Sequence, residues 1–96
     1  MWSIMRIKIK LLKPFSDAVG KSEFDLEFIG KNLGGLIKEL TNKYPDLKNE
    51  FYKESGELTE YICIFVNDKP ISALNGIETE LKNNDEILFF VPISGG

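Results

Sequence analysis

The sequence predicts an α+β fold in which a mixed sheet of four to five strands carries one main helix on one face. Three features of the sequence lead to this prediction. Two early segments alternate apolar and charged residues, one amphipathic segment of helical period follows, and two late segments are apolar on both faces. The order is β-β-α-β-β within a single domain, because 96 residues are too few for two ordinary cores.

The first two strands are predicted to form an antiparallel hairpin. Residues 5–12, MRIKIKLL, alternate apolar with basic side chains, the two-residue period of a half-buried strand. Pro14 ends this strand, because proline has no backbone N–H to donate. Residues 15–22 are predicted to be a connection with a turn at Gly20, and residues 24–29 alternate again.

The main helix is predicted at residues 33–44. Apolar side chains recur there at the i, i+3, i+4 and i+7 spacing of an amphipathic helix. Asn32 suits the N-cap position, and Pro45 prevents continuation. Gly34 and Gly35 fit neither a dinucleotide-binding nor a phosphate-loop pattern, so we interpret them as positions of close packing or simple tolerance.

The two late strands are predicted at residues 61–66, YICIFV, and 86–91, EILFFV. Both are rich in β-branched and aromatic residues and apolar on both faces, which is typical of interior strands. A turn at residues 67–70 follows the first of them. A right-handed crossover through the helix would place the first and last strands side by side and parallel.

One helix can cover only one face of this sheet. The two-residue period of the strands predicts which side chains face the helix. These are Ile7, Ile9, Leu11, Phe24, Leu26, Phe28, Ile62, Ile64, Val66, Ile87, Phe89 and Val91. The side chains predicted on the opposite face of the sheet, which we call the far face, are Leu12, Cys63, Phe65, Leu88 and Phe90. Contiguous exposed apolar patches usually mark interaction sites, so we expect a docking face. The alternative is partial cover by residues 15–20 or 46–57, where a short helical turn is predicted around Leu47 and Phe51.

The composition argues against catalysis by the chain alone and against a metal site. There is no histidine and only one cysteine, Cys63, so a His-based general base is excluded and no metal site is expected. Cys63 lies among apolar residues, without the electropositive surroundings of a reactive thiol. The 15 acidic residues form no paired constellation in the sequence, and a one-helix domain has little room for a cleft.

Charge and hydropathy narrow the possible partners and compartment. A net charge of −3 argues against nucleic acid or an anionic membrane as the main partner. The apolar runs are far shorter than the roughly 20 residues that a membrane span needs. One thiol cannot form an internal disulfide, so we expect a cytoplasmic protein in a reducing compartment.

The end of the sequence, FFVPISGG, is the strongest candidate site. Pro92 ends the last strand, and we expect residues 92–96 to form a flexible tail on a domain that spans residues 1–96. Gly95 and Gly96 have no Cβ, so they can thread a narrow channel. An activating enzyme could form an acyl-adenylate at the open terminal carboxylate, which would then accept sulfur or an amine.

The segment DEILFFVPISGG, residues 85–96, resembles the C-terminal signature of the MoaD/ThiS ubiquitin-like sulfur carriers. The likeness is greatest to small subunits of molybdopterin synthase, in the archaeal-type branch. MRIKIKLL, LIKELTNKYPDL, IFVNDKPI and TELKNNDEI follow that family's pattern in order, so the resemblance covers residues 5–96 and leaves residues 1–4 as an extension. The sequence departs from the pattern at Val91-Pro92, where Pro-Pro is common, and around Ser16, where arginine is common.

The resemblance implies a β-grasp (ubiquitin-like) fold and a thiocarboxylate at Gly96. It implies three partners: a MoaE-like large synthase subunit, a MoeB-like ubiquitin-activating-type adenylyltransferase that uses ATP, and a sulfur donor. No cofactor bound to this chain is expected. Sulfur would pass to cyclic pyranopterin monophosphate in molybdenum or tungsten cofactor synthesis. Phe90 matches an aromatic docking residue of the family, and the expected partner-binding residues are Phe65, Leu88, Phe90, Pro92, Ile93 and Ser94.

Three other functions remain open at this point. The first is supply of sulfur for thiamine or for tRNA thiolation, although thiamine carriers are usually shorter and tRNA-thiolating relatives tend to carry histidine where Ser94 stands. The second is that of a protein modifier conjugated to lysines through Gly96. The third is that of a β-grasp binding module whose Gly-Gly ending has no role.

Overall fold

The computed structural model describes residues 4–92 and has the predicted α+β architecture, built on one mixed five-stranded sheet. The strands are β1 (Ile4–Leu11), β2 (Glu23–Ile29), β3 (Cys63–Val66), β4 (Lys69–Pro70) and β5 (Glu86–Phe90). The helices are α1 (Phe15–Val19), α2 (Leu33–Lys43) and α3 (Lys48–Phe51). Short 3-10 turns occupy Pro45–Leu47, Ile71–Ala73 and Gly76–Glu78.

The strand order β2-β1-β5-β3-β4 confirms that the first and last strands are neighbours. β1 and β5 run parallel, with Ile9 opposite Ile87. β2 pairs antiparallel with β1, and β3 pairs antiparallel with β5. β5 therefore occupies the middle of the sheet, with two strands on either side.

Helix α2 begins where the sequence predicts and ends one residue earlier than predicted. The Asn32 side-chain oxygen Oδ1 accepts a hydrogen bond from the Gly35 backbone N–H at 2.9 Å, which is an N-cap. The helix ends at Lys43, and Pro45 begins the 3-10 turn that follows. None of the helices in the described part of the chain has the length and apolarity that a membrane crossing requires.

The core lies between α2 and the sheet and contains the predicted helix-facing residues. The side chains that are fully or nearly buried are Ile7, Ile9, Leu11, Leu26, Phe28, Ile64, Val66, Ile87 and Phe89. The other three predicted residues, Phe24, Ile62 and Val91, are half-buried and pack against this core. The predicted second helical turn is also present, and its Leu47 and Phe51 are buried.

Three local predictions were wrong in detail. Residues 15–19 form helix α1 rather than an irregular connection, because the buried Phe15 anchors a single turn that Gly20 caps at φ +84°. β3 begins at Cys63 instead of Tyr61, whose side chain is 70% exposed. Lys69–Pro70, which was predicted to belong to a turn, forms the short strand β4 and pairs with β3.

Candidate functional site

The four predicted apolar residues of β3 and β5 form one patch on the sheet face that is turned away from α2. Cys63 stands opposite Phe90, and Phe65 stands opposite Leu88. The rings of Phe65 and Phe90 are in contact, with centroids 5.5 Å apart and planes inclined at 43°. All four side chains are partly exposed. We call these residues, together with Pro70, the apolar half of the far face.

Pro70 belongs to the apolar half and was not predicted from the sequence. It lies opposite Phe65 in the β3–β4 ladder and is exposed, so it extends the patch toward the sheet edge. The available signal in the sequence was the pair Asn67-Asp68, because Asn and Asp tolerate positive φ in turns, and in the structure their φ angles are 50° and 69°. A two-residue hairpin turn of this kind returns the chain beside the strand that precedes it.

The rest of the far face is charged. We call it the charged half, and it consists of Arg6, Lys8 and Lys10 on β1 and Glu23, Asp25 and Glu27 on β2. Each basic residue stands opposite an acidic one in the ladder. Lys8 Nζ lies 3.9 Å from Glu23 Oε2, and Lys10 Nζ lies 3.4 Å from the Glu86 carboxylate on β5. The face is therefore divided along its length into an ion-paired side and an apolar side.

The segments that the sequence offered as possible cover for this face pack elsewhere. The Phe15 ring contacts the Phe51 ring edge-on, with centroids 4.9 Å apart. Phe51 in turn contacts Phe89, at 5.2 Å between centroids, and Phe89 faces the helix side of the sheet. Both α1 and α3 thus add to the core, and the apolar half keeps its exposure.

Other predicted site residues lie at the margin of the far face or beyond the described chain. Leu12 follows β1 and is 52% exposed. Pro92 is exposed and comes directly after the half-buried Val91. Ile93, Ser94, Gly95 and Gly96 lie outside the described residues.

Within residues 4–92 no group of three or more His, Cys, Asp or Glu side chains is arranged to hold a metal ion. Cys63 is a free, partly exposed thiol. The arrangement on the far face is that of a contact surface, apolar on the side of β3 and β5 and ion-paired on the side of β1 and β2.

Comparison with known proteins gives the family. The model of the ThiS family matches residues 9–96. A proposed sulfur carrier protein of Archaeoglobus fulgidus is 37% identical over 93 residues, which is 96% of this chain and 100% of that protein. These two matches span nearly the whole chain.

Solved structures agree on the fold. The solution structure of small archaeal modifier protein 1 from Methanosarcina acetivorans superposes with a TM-score of 0.84, at 34% identity, over 98% of this chain and 99% of that chain. A proposed molybdopterin converting factor subunit 1 from Pyrococcus furiosus has a TM-score of 0.72 at 24% identity, over 93% and 99% of the two chains. The chain therefore has the β-grasp fold and belongs to the ThiS/MoaD family of ubiquitin-like sulfur carriers and modifiers.

Proposed function

We propose that this chain is a sulfur carrier that is loaded at the Gly96 carboxylate and acts as the small subunit of molybdopterin synthase. One observation carries the proposal. β5 bears Leu88 and Phe90 of the apolar half and leads directly into the Pro92–Gly96 segment. A partner that docks on the apolar half would therefore receive the loaded end of the chain beside its own contact surface.

The length of the tail limits where the partner's active site can lie. Four residues beyond Pro92 can span at most about 13–14 Å, since an extended residue covers about 3.3–3.6 Å. Gly95 and Gly96 make the last part of this arm as thin as a polypeptide can be. The acceptor site of the partner must then open within this distance of the Pro92 end of the docked face.

The chemistry requires two displacements, the first at the α-phosphorus of ATP and the second at the Gly96 carbonyl carbon, both catalysed by partner enzymes. A Gly96 carboxylate oxygen attacks the α-phosphorus of ATP, and pyrophosphate leaves. A hydrosulfide equivalent then attacks the carbonyl carbon of the acyl-adenylate, and AMP leaves to give the thiocarboxylate and a proton. The MoeB-like adenylyltransferase would catalyse the first step, and the MoaE-like subunit would take up the sulfur for cyclic pyranopterin monophosphate.

The two halves of the far face would contribute differently to docking. Aromatic residues at the centre of an interface supply most of its binding energy, so Phe65 and Phe90 are the expected anchors. Exposed charges at the rim chiefly affect the association rate and orientation. Lys10 and Glu86 border the apolar half on its β1 side and fit this second role.

A second candidate is protein modification, because the structure from Methanosarcina acetivorans is that of a small archaeal modifier. The activation step would be the same. The acyl group would then pass to the ε-amine of a lysine, forming an amide and releasing the activating group. The two functions differ only in what attacks the activated carbonyl.

Intact-mass measurement tests the loading step. The chain is incubated with ATP, hydrosulfide and the adenylyltransferase, and the expected gain is the difference in mass between sulfur and oxygen. A variant that lacks Gly96 should show no gain. ATP–pyrophosphate exchange, measured in parallel, reports whether the enzyme is active on the chain. Exchange without any mass gain would contradict sulfur carriage and leave modification as the better function.

Binding and transfer test the acceptor. Phe90→Asp should abolish binding to the MoaE-like subunit, whereas Ile77→Asp, at a 49% exposed position away from the far face, should not. Thiocarboxylated chain should return to the carboxylate mass when that subunit and cyclic pyranopterin monophosphate are both present. Failure of this transfer, together with Gly96-dependent conjugates of higher mass, would favour the modifier.

A further inference from the structure

The outer edge of the sheet at β2 is open along seven residues. Among residues 4–92, β2 pairs only with β1, and it contains no proline. Natural sheets usually protect such edges, because their free N–H and C=O groups can pair with another strand. At the opposite edge, β4 is two residues long and includes Pro70, so it offers almost no ladder.

The hydrogen-bond pattern shows which groups of β2 are free. The Leu11 N–H donates to the Ser22 carbonyl at 2.8 Å, which makes these residues a hydrogen-bonded pair of the antiparallel ladder. Bonded pairs alternate with non-bonded pairs, so the backbone groups of Glu23, Asp25 and Glu27 point away from β1. No turn, loop or side-chain hydrogen bond from residues 4–92 reaches these backbone groups.

The side chains along this edge select the charge of an added strand. Glu23, Asp25 and Glu27 are exposed on the far face. If a second copy paired with this edge in antiparallel register, acidic residues would stand opposite acidic residues, which is destabilising. A strand with lysine or arginine at these positions would place cations on the outer side of the acidic row, as Arg6, Lys8 and Lys10 do on its inner side.

On the helix side of the same edge, the neighbouring side chains favour apolar residues in an added strand. Phe24 and Tyr44 are both half-buried there, and their rings meet edge-on with centroids 5.3 Å apart. Lys21 Nζ lies 5.6 Å from the Phe24 centroid and 6.0 Å from the Tyr44 centroid. This positive charge disfavours a basic residue above the rings and favours an apolar one.

We propose that the β2 edge is a second binding surface, which accepts an extended segment of a partner protein whose residues alternate basic and apolar. The segment would add a sixth strand, bonded to the free backbone groups of Glu23, Asp25 and Glu27. Its basic side chains lie beside the acidic row, and its apolar side chains cover Phe24 and Tyr44.

This surface is separate from the one used in the proposed sulfur transfer. β1 lies between β2 and β5, so an added strand is about 14 Å from β5, given strand spacings of about 4.7–4.9 Å. A partner on the β2 edge therefore leaves Leu88 and Phe90 accessible. The inference does not depend on the fate of Gly96.

A designed peptide tests the proposal on the intact chain. The isotope-labelled protein is titrated with a peptide of alternating lysine and valine, and amide hydrogen exchange is followed residue by residue. We expect new protection at Glu23, Asp25 and Glu27 and little change at Phe24, whose N–H already bonds to β1. A peptide of the same composition with its lysines and valines in separate blocks is the control.

Variants at the centre of the edge separate charge from backbone pairing. Asp25→Lys replaces an attractive cross-strand pair by a repulsive one and should weaken binding roughly 2- to 30-fold. Asp25→Pro removes both the carboxylate and an outward N–H, whose loss an edge strand tolerates, whereas Asp25→Asn removes the charge alone. Asp25→Pro should therefore weaken binding more than Asp25→Asn does. Glu39→Lys, at an exposed position of α2, makes the same charge change away from the edge and should have little effect.

Three results would overturn the proposal. One is the absence of new protection at Glu23, Asp25 and Glu27 at saturating peptide. Another is equal binding of the block peptide, which would indicate charge attraction without strand pairing. The third is concentration-dependent protection of the same amides without any peptide, which would show that the edge pairs with a second copy.

Discussion

The two consecutive phenylalanines of β5 should respond in opposite ways to the same substitution. Phe89 is fully buried and its ring lies 5.2 Å from that of Phe51, whereas Phe90 is partly exposed and contacts Phe65 at 5.5 Å. We expect Phe89→Ala to lower the free energy of unfolding and Phe90→Ala chiefly to weaken partner binding. Adjacent positions in one strand provide a matched pair with identical chemistry.

The magnitudes follow from burial. Truncating a fully buried phenylalanine leaves a cavity and costs about 3–5 kcal/mol. For Phe90 the main loss on folding is part of one aromatic pair, about 0.5–1.5 kcal/mol, because one side of the ring already faces solvent. A domain of this size has a total stability of about 5–15 kcal/mol, so Phe89→Ala removes a large fraction of it.

Urea denaturation followed by circular dichroism measures the difference. With a denaturant slope of about 2 kcal/mol per molar, a loss of 4 kcal/mol lowers the midpoint by about 2 M, and a loss of 1 kcal/mol lowers it by about 0.5 M. Phe90→Ala should instead reduce affinity for the partner by about 30-fold or more, as a hot-spot residue does. Equal midpoints for the two variants would refute the assignment of their faces.

Two further substitutions test local features of the backbone. Gly30→Ala should lower stability by about 1–3 kcal/mol in thermal unfolding, because the new Cβ would lie 2.4 Å from Cζ of the Phe28 ring; an unchanged melting temperature would contradict the close stacking of that ring on Gly30. Asp68→Gly should raise stability by up to about 1 kcal/mol, since Asp68 has φ 69° in the β3–β4 turn and glycine adopts such angles without steric cost. A loss of stability in the second variant would indicate that the Asp68 side chain contributes more than its backbone strain.

The sequence was sufficient to predict helices and strands whose hydrophobic period is sustained over several residues. It was insufficient to predict the very short elements. Alternation over residues 5–12 and 24–29 predicted β1 and β2 closely, and the helical spacing after Asn32 predicted α2. Helix α1 spans five residues, which is too short for its period to be visible. The two residues before β3 look like strand in sequence, but the ladder with β5 ends at the Cys63–Phe90 pair.

The same contrast holds for the site. The two-residue period placed Phe65, Leu88 and Phe90 on one face, and strand pairing brought them together as predicted. Pro70 was missed, because a strand of two residues has no pattern and is defined only by its pairing with β3. The sequence predicted that β1 is the neighbour of both β2 and β5, but it did not predict that β4 forms the outer edge beside β3 and extends the apolar half.

The central position of β5 has a consequence for how the chain folds during synthesis. β5 is the last of the five strands to leave the ribosome, yet it joins β1 to β3 and separates two otherwise unconnected pairs of strands. Contacts between strands so distant in sequence make folding slow, because a long loop must close before they form. The sheet cannot assemble until the segment that leads into the Gly-Gly ending has been made. The far face therefore exists as a binding surface only on chains whose synthesis has passed β5.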